Sequence, residues 1–83
     1  MNDLPIVRIE WDDSTDVVRW YTRDDLTQFD VKHCVSVGYL LHESDTALYI
    51  VQSDDRDEEE SDRHFNNTMI IPKVSVTKRE VIR

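Results

Sequence analysis

Apolar and polar residues alternate near the start of the chain with the period of two that is typical of a half-buried β-strand. Val7, Ile9 and Trp11 fall on one face of this predicted strand, and Arg8 and Glu10 fall on the other. The polar run DDSTD follows directly and predicts a turn.

Residues 12–32 give a weaker signal. Val17–Tyr21 is apolar again but too short to assign to a strand or a helix. Thr22, with Asp25 three positions later, resembles a helix capping box, in which a hydroxyl and an acid satisfy backbone groups of the first turn. This pattern predicts one or two helical turns within residues 24–29.

The second half of the chain alternates more regularly. One long strand is predicted to place five apolar residues on a single face: Val31, Val35, Val37, Tyr39 and Leu41. Gly38, the one glycine of the sequence, lies within this strand and indicates a bulge, a bend or a close approach of two backbones. Polar residues at 43–46 separate this strand from a second apolar run at 47–53, which predicts a β-hairpin.

Acidic residues dominate the segment that follows. Residues 54–66 contain a single apolar residue, Phe65, and predict a mobile loop that buries little surface. A short strand at 68–71 ends at Pro72, which cannot donate a ladder hydrogen bond, and a last strand is predicted over residues 74–82.

These elements amount to five strands without a sustained helical period. We therefore expect a single all-β domain over residues 1–83, with at most one short helix, folded as a small barrel or a curled sheet. The lone Cys34 argues against a disulfide-built secreted scaffold, and Met1–Pro5 lack the features of a signal peptide. With no apolar run near the roughly 20 residues of a membrane-spanning helix, the sequence predicts a cytoplasmic protein without a membrane partner.

Charge is unevenly placed along the chain. The net charge of −8 disfavours general binding to nucleic-acid phosphates. Residues 54–63 contribute −5, whereas residues 73–83 contribute +3. The basic C-terminal strand could therefore meet the acidic loop of a neighbour, or an anionic ligand.

Candidate reactive residues are few. The sequence contains no P-loop, no zinc-type cysteine pairs and no nucleophile elbow. His33 and Cys34 are adjacent, and adjacent residues of a strand point to opposite faces, so we interpret them as structural residues. His42 and His64 have no acid or thiol at ligand spacing. We therefore expect a protein that is not an enzyme and that holds no metal and no cofactor.

Two groups of residues allow more than one interpretation. Three aromatic residues could pack in a core or a subunit contact, or could form a platform for nucleic-acid bases: Trp11, Trp20 and Tyr21. Three basic residues could contact phosphates, or could protect an outer strand from edge-to-edge aggregation: Lys73, Lys78 and Arg79.

Two stretches resemble the motifs of the Sm-like proteins. VSVGYLLHESDTALYIVQS, at residues 35–53, resembles the first Sm motif, in which a bent strand with a glycine turns at an acidic residue into the next strand. TMIIPKVSV, at residues 68–76, is similar to the second Sm motif, in which two short strands meet at a tight turn. More narrowly, the layout resembles small Sm-like proteins of uncharacterised function from phages and bacteria. The resemblance implies a five-stranded, small open barrel of the Sm-like or SH3 type.

The resemblance also implies a mode of assembly. In Sm-like proteins the two outer strands pair between neighbouring subunits and close a ring, so the chain is expected to form a homo-oligomeric ring that acts as a binding or scaffold module. The residues expected at the subunit interface are Met69, Ile70, Ile71, Val74 and Val76.

RNA binding on the pore face of such a ring is an alternative function, with Asp45 and Lys73 as candidate contacts. The sequence departs from the RNA-binding motifs, because Ala47 and Leu48 stand where an asparagine grips a base and residues 71–73 replace an Arg-Gly pair. Of the Tyr-Lys-His triplet of Hfq-type RNA chaperones, Lys73 alone has a counterpart. A second alternative is an acidic adaptor that mimics nucleic acid and binds a basic host protein.

Overall fold

The computed structural model describes residues 3–57 and 59–83 as one antiparallel sheet of five strands. The strands are β1 (Ile6–Asp13), β2 (Lys32–Glu43), β3 (Ala47–Asp54), β4 (Phe65–Pro72) and β5 (Val76–Val81). A single helical turn, α1 (Arg23–Leu26), lies between β1 and β2, and 3₁₀ turns lie at Glu60–Asp62 and Lys73–Ser75.

The strands are ordered β4-β3-β2-β1-β5 across the sheet. Within the described ranges the sheet is not closed, so β4 and β5 are its two outer strands. The all-β class, the five strands and the short helix predicted from the sequence are therefore confirmed. The helix is shorter than predicted, although Thr22 caps it as expected, accepting a hydrogen bond from the backbone N–H of Asp25 at 3.2 Å.

One face of the sheet carries the core. Five buried side chains from three strands form the central cluster: Val7, Ile9, Leu48, Ile50 and Ile71. Trp11, Leu40 and Val76 pack against it and are partly buried. The alternation predicted for β1 is confirmed. Val7 and Ile9 are buried, whereas Arg8 and Glu10, which alternate with them, are only half-buried.

The predicted apolar face of β2 is not the core face. Ile9 of β1 pairs with Ser36 of β2, so the even-numbered residues Ser36 and Gly38 face the core side. Val35 and Val37 consequently lie on the opposite face and are exposed. The sequence alternation gives the period of a strand correctly but does not show which face is covered.

The strands β2 and β3 diverge at Gly38. Their pairing begins at Tyr39 with Val51 and runs toward the hairpin turn, while residues 32–38 of β2 pair with β1 alone among the described strands. A Cβ atom on Gly38 would lie 2.8 Å from the carbonyl oxygen of Val51. The glycine therefore permits the close approach of two backbones that the sequence predicts.

Beyond this point the β1–β2 hairpin projects from the sheet. Its ladder continues to Asp13 with Lys32, and residues 14–31, here called the arm, connect the two strands at the far end. The chain is consequently 56 Å long and 23 by 21 Å across. Its radius of gyration of 16.8 Å exceeds the roughly 12 Å of a compact chain of this length.

Candidate functional site: two outer strands and an acidic anchor

The outer edge of β4 is long and uncharged. Its eight residues, FNNTMIIP, include no ionisable side chain, and Ile70 is 57% exposed. The backbone N–H of Lys73 donates to the carbonyl of Thr46 at 2.8 Å. In an antiparallel ladder every second residue bonds to the neighbouring strand, so the odd-numbered residues of this part of β4 bond to β3 as Lys73 does. The backbone N–H and C=O groups of Thr68 and Ile70 therefore point away from β3, toward solvent. Pro72 occupies an outward-facing position like Thr68 and Ile70. A residue without an N–H fits there because no hydrogen bond to β3 is lost.

The opposite edge, β5, differs in charge. Lys78, Arg79 and Glu80 lie within it, and the segment from Lys73 onward is net basic. The backbone N–H of Ile82 donates to the carbonyl of Ile6 at 2.7 Å, so by the same alternation the groups of Arg79 and Val81 point away from β1. Both edges therefore present outward backbone donors and acceptors.

The structure separates the five residues predicted for the subunit interface. Met69, Ile70 and Val74 are exposed, Val76 is half-buried against the core, and Ile71 is fully buried within it. Three of the five side chains are therefore available to a neighbour. The edges predicted at 68–71 and 74–81 lie in the two outer strands, apart from residues 74–75, which belong to the Lys73–Ser75 turn.

Lys73, one of the two candidate RNA contacts, is bound by a carboxylate of the same chain. Lys73 Nζ lies 2.7 Å from Glu43 Oε2, and Arg79 Nη1 lies 3.2 Å from Glu43 Oε1. Hydrogen bonds from Lys73 and then Arg79 hold the pKa of the Glu43 carboxyl below its usual value. Asp45 is exposed in the turn between β2 and β3. One carboxylate thus faces two cations, so the ion pairs reduce the positive charge beside Lys73 without cancelling it.

The acidic segment is anchored by a buried ion pair at its base. Arg63 donates to both carboxylate oxygens of Asp54, from Nε at 2.7 Å and from Nη2 at 2.5 Å, and both side chains are buried. The Arg63 guanidinium also lies 5.3 Å from the centre of the Phe65 ring. These hydrogen bonds hold the pKa of Asp54 below its usual value, against the opposing effect of burial.

The predicted loop at 54–66 is shorter in the structure than in the sequence prediction. Asp54 pairs with Phe65 and Ser53 with Asn66, and the N–H of Asp55 donates to the carbonyl of His64 at 3.0 Å. The strands thus extend into both ends of the segment. Residue 58 lies outside the described residues, and the predicted mobility of the remaining segment stays a prediction.

His33 and Cys34 face opposite sides of β2, as the strand period predicts. His33 Nδ1 lies 2.6 Å from Asp12 Oδ1, directly across the ladder, whereas Cys34 pairs with Trp11. Among the described residues no three His, Cys, Asp or Glu side chains come together as a metal site. The exposed His33 forms a hydrogen bond with Asp12 and shows no link to the Cys34 thiol.

Comparison with protein families, with curated proteins and with solved structures finds no match to this chain. No helix in the described part of the chain is long and apolar enough to cross a membrane.

Sequence reasoning missed one large feature, the exposure of the arm. Val17–Tyr21 is too short to assign from the sequence, and core packing is one of the interpretations of Trp20, yet Val18 and Trp20 are almost completely exposed. A signal was available, because this apolar run is interrupted by Arg19 and flanked by Asp16 and the polar run Thr22–Asp25, a pattern that a strand buried on both sides does not show.

Proposed function

We propose that this chain is a non-enzymatic, homo-oligomeric ring subunit of the Sm-like type, which acts as a cytoplasmic binding or scaffold module and is encoded by a phage. The observation that carries the proposal is β4, an outer strand of eight residues without a charge and with an exposed isoleucine. Apolar strand edges without charges promote pairing with other chains. Asn67, with φ of 56°, interrupts the pairing near the start of β4, so the regular uncharged edge is the stretch Thr68–Ile71.

The partner strand proposed for β4 is β5 of a neighbouring subunit. The outward backbone groups of Thr68 and Ile70 would pair with those of Arg79 and Val81, which extends the sheet from one subunit into the next. Such a contact joins two different surfaces of the same chain. Repeated contacts of this kind close into a ring when a whole number of rotations between neighbouring subunits adds up to one full turn.

The surface area of the subunit supports association. The accessible surface is 6630 Å², about 1,400 Å² more than the roughly 5,200 Å² expected for a compact monomer of 9.9 kDa. A specific interface removes about 800 Å² from each partner. Each ring subunit has two such contacts, so the excess is of the size that ring formation would bury.

RNA binding has less support, because Lys73, the expected contact, is already paired with Glu43. The capture of a basic host protein by the acidic segment has no specific observation in its favour.

The proposal is tested by native mass spectrometry and light scattering at micromolar concentration. The wild type should have a mass that is an integral multiple of 9.9 kDa, above that of the monomer. This mass should not rise with concentration, as it would if the subunits formed an open filament. Ile70→Pro removes an outward N–H without touching the β3 ladder, and we expect it to convert the ring to monomers. Ile70→Val keeps the N–H and the branched side chain, and should still form the ring.

Val81→Pro makes the same change at the opposite edge and should have the same effect. It also keeps the test decisive if Ile70→Pro does not fold, which far-UV circular dichroism would show. A monomeric wild type, or rings formed equally well by both proline variants, would overturn the proposal.

A further inference from the structure

The arm is the most exposed part of the described chain. Every residue from 18 to 33 is exposed, and six of them are apolar or aromatic: Val18, Trp20, Tyr21, Leu26, Phe29 and Val31. Apolar surface of this extent on one projection is uncommon in a protein that stays monomeric and usually marks an interaction site.

The arm nevertheless has a defined local structure. Thr15 Oγ1 donates to the carbonyl of Asp30 at 2.6 Å and joins the two ends of the arm. The rings of Tyr21 and Phe29 meet edge to face, with centres 5.5 Å apart. The apolar side chains are thus held in position without being covered. Because the free arm is already ordered in part, it loses less conformational entropy when it binds.

An apolar groove of about 420 Å³ lies at the base of the arm, between β2 and β4. It exists because β2 leaves β3 beyond Tyr39, so that residues 35–37 face β4 across a gap. Ser36 Oγ lies 3.4 Å from Met69 Sδ across this gap. The lining contains no charged residue and consists of Val35, Ser36, Val37, Ile50, Gln52, Asn67, Thr68 and Met69.

We infer that the arm of one subunit seats in this groove of a second copy of the chain, with Trp20 as the side chain that fills it. The arm does not occupy the groove of its own chain, because Trp20 is completely exposed and the β1–β2 ladder continues past the groove to Asp13 and Lys32. Reciprocal exchange of two arms would make a contact with two-fold symmetry. This contact does not use the outward backbone of β4 or β5 and does not depend on the proposed ring.

Area favours a second copy as the occupant. Trp20 is completely exposed and buries about 150–250 Å² when covered, whereas Tyr21 and Phe29 are less than half exposed and add less. Two exchanged arms and the two grooves that receive them together approach the roughly 1,200 Å² of a small specific interface. Residues 12–30 carry six acids and two arginines, so the arms of two copies repel each other at low salt. The groove lining is uncharged, so the contact between copies should strengthen with salt as this repulsion is screened.

The experiment follows the tryptophan emission and the sedimentation of the full chain over a range of concentrations and salt. On association, the emission of the exposed Trp20 should move to shorter wavelengths. Trp20→Ser and the groove variant Val35→Ser/Val37→Ser should each raise the dissociation constant of this step about tenfold or more. Ile82→Ser, which removes an exposed apolar side chain outside the arm and the groove, should leave it unchanged.

Two results would overturn the inference. One is a tryptophan emission that keeps the wavelength typical of an exposed indole while the protein associates. The same holds if the emission shifts only when phosphatidylcholine vesicles are added, which would assign the arm to a lipid surface. The other is a Trp20→Ser variant that associates as the wild type does. Ile70→Pro separates this step from the ring, because it should abolish edge pairing and leave the emission shift intact.

Discussion

Gly38 and Ile50 lie in contact across the point where β2 and β3 separate. A Cβ atom on Gly38 would stand 2.6 Å from Cγ2 of Ile50, which is itself a member of the buried cluster. Because the same Cβ would also meet a backbone oxygen, movement of the isoleucine alone cannot make room for it. The curl of the sheet, and with it the groove beside β4, depends on the missing side chain.

We therefore expect Gly38→Ala to destabilise the subunit by about 1–3 kcal/mol, the range found when well-packed sites are overfilled. Urea unfolding followed by circular dichroism would measure the change. Val37→Thr, on the exposed face of the same strand, keeps the β-branched shape and should stay within about 0.5 kcal/mol of the wild type. Equal stability of Gly38→Ala and Val37→Thr would show that β3 can move away from β2 freely.

The glycine illustrates what the sequence can predict. A lone glycine inside an alternating apolar run points to close backbone approach, and strand period and turn residues locate all five strands, because these are local properties. The covered face of β2 is not local. It depends on which residues of β1 pair with it, and the register of Ile9 with Ser36 places Val35 and Val37 outside.

The buried anchor of the acidic segment shows the same limit. Within a run of acids, Asp54 and Arg63 look like two solvated charges of a loop. Their pairing follows from the continuation of the β3–β4 ladder to Asp54 with Phe65, which brings residues nine positions apart together. Residue composition alone carries no information about this ladder.

The Asp54–Arg63 pair predicts a dependence of stability on pH. Because folding lowers the pKa of Asp54, its carboxylate stabilises the folded chain above the ordinary carboxyl pKa, and this contribution is lost as the pH falls through the lowered value. Asp54→Asn should therefore reduce the unfolding temperature at pH 7, and the difference from the wild type should shrink below about pH 4.

Asp57→Asn is the matched control for this prediction, since Asp57 is an exposed carboxylate of the same segment. It should change the unfolding temperature at pH 7 much less than Asp54→Asn does. Thermal unfolding of the three proteins between pH 3 and pH 7 provides the comparison. A difference between the wild type and Asp54→Asn that is independent of pH would show that the ionised carboxylate is not the stabilising species.

The pairing of Glu43 with Lys73 and Arg79 predicts how the chain responds to RNA. Glu43→Gln should raise the positive charge beside the Lys73–Ser75 turn, because in the wild type Glu43 offsets one of the two cations there. We expect a uridine-rich oligonucleotide to be retained weakly or not at all by the wild type in a filter-binding assay at low salt, and more strongly by Glu43→Gln. Strong, salt-sensitive retention by the wild type that Lys73→Ala reduces would instead restore RNA binding as a function.

Ile70 and Ile71 are adjacent on β4, and the structure predicts opposite roles for them. Ile71 is fully buried in the central cluster, so Ile71→Ala should destabilise the subunit by about 2–5 kcal/mol. Ile70 is exposed on the other face, so Ile70→Ala should leave the stability of the isolated subunit nearly unchanged and weaken association. Urea unfolding at low concentration measures the first effect, and mass at micromolar concentration measures the second. Loss of association in Ile71→Ala without loss of stability would contradict this division, because a side chain enclosed by its own subunit cannot contact a neighbour until the subunit unfolds.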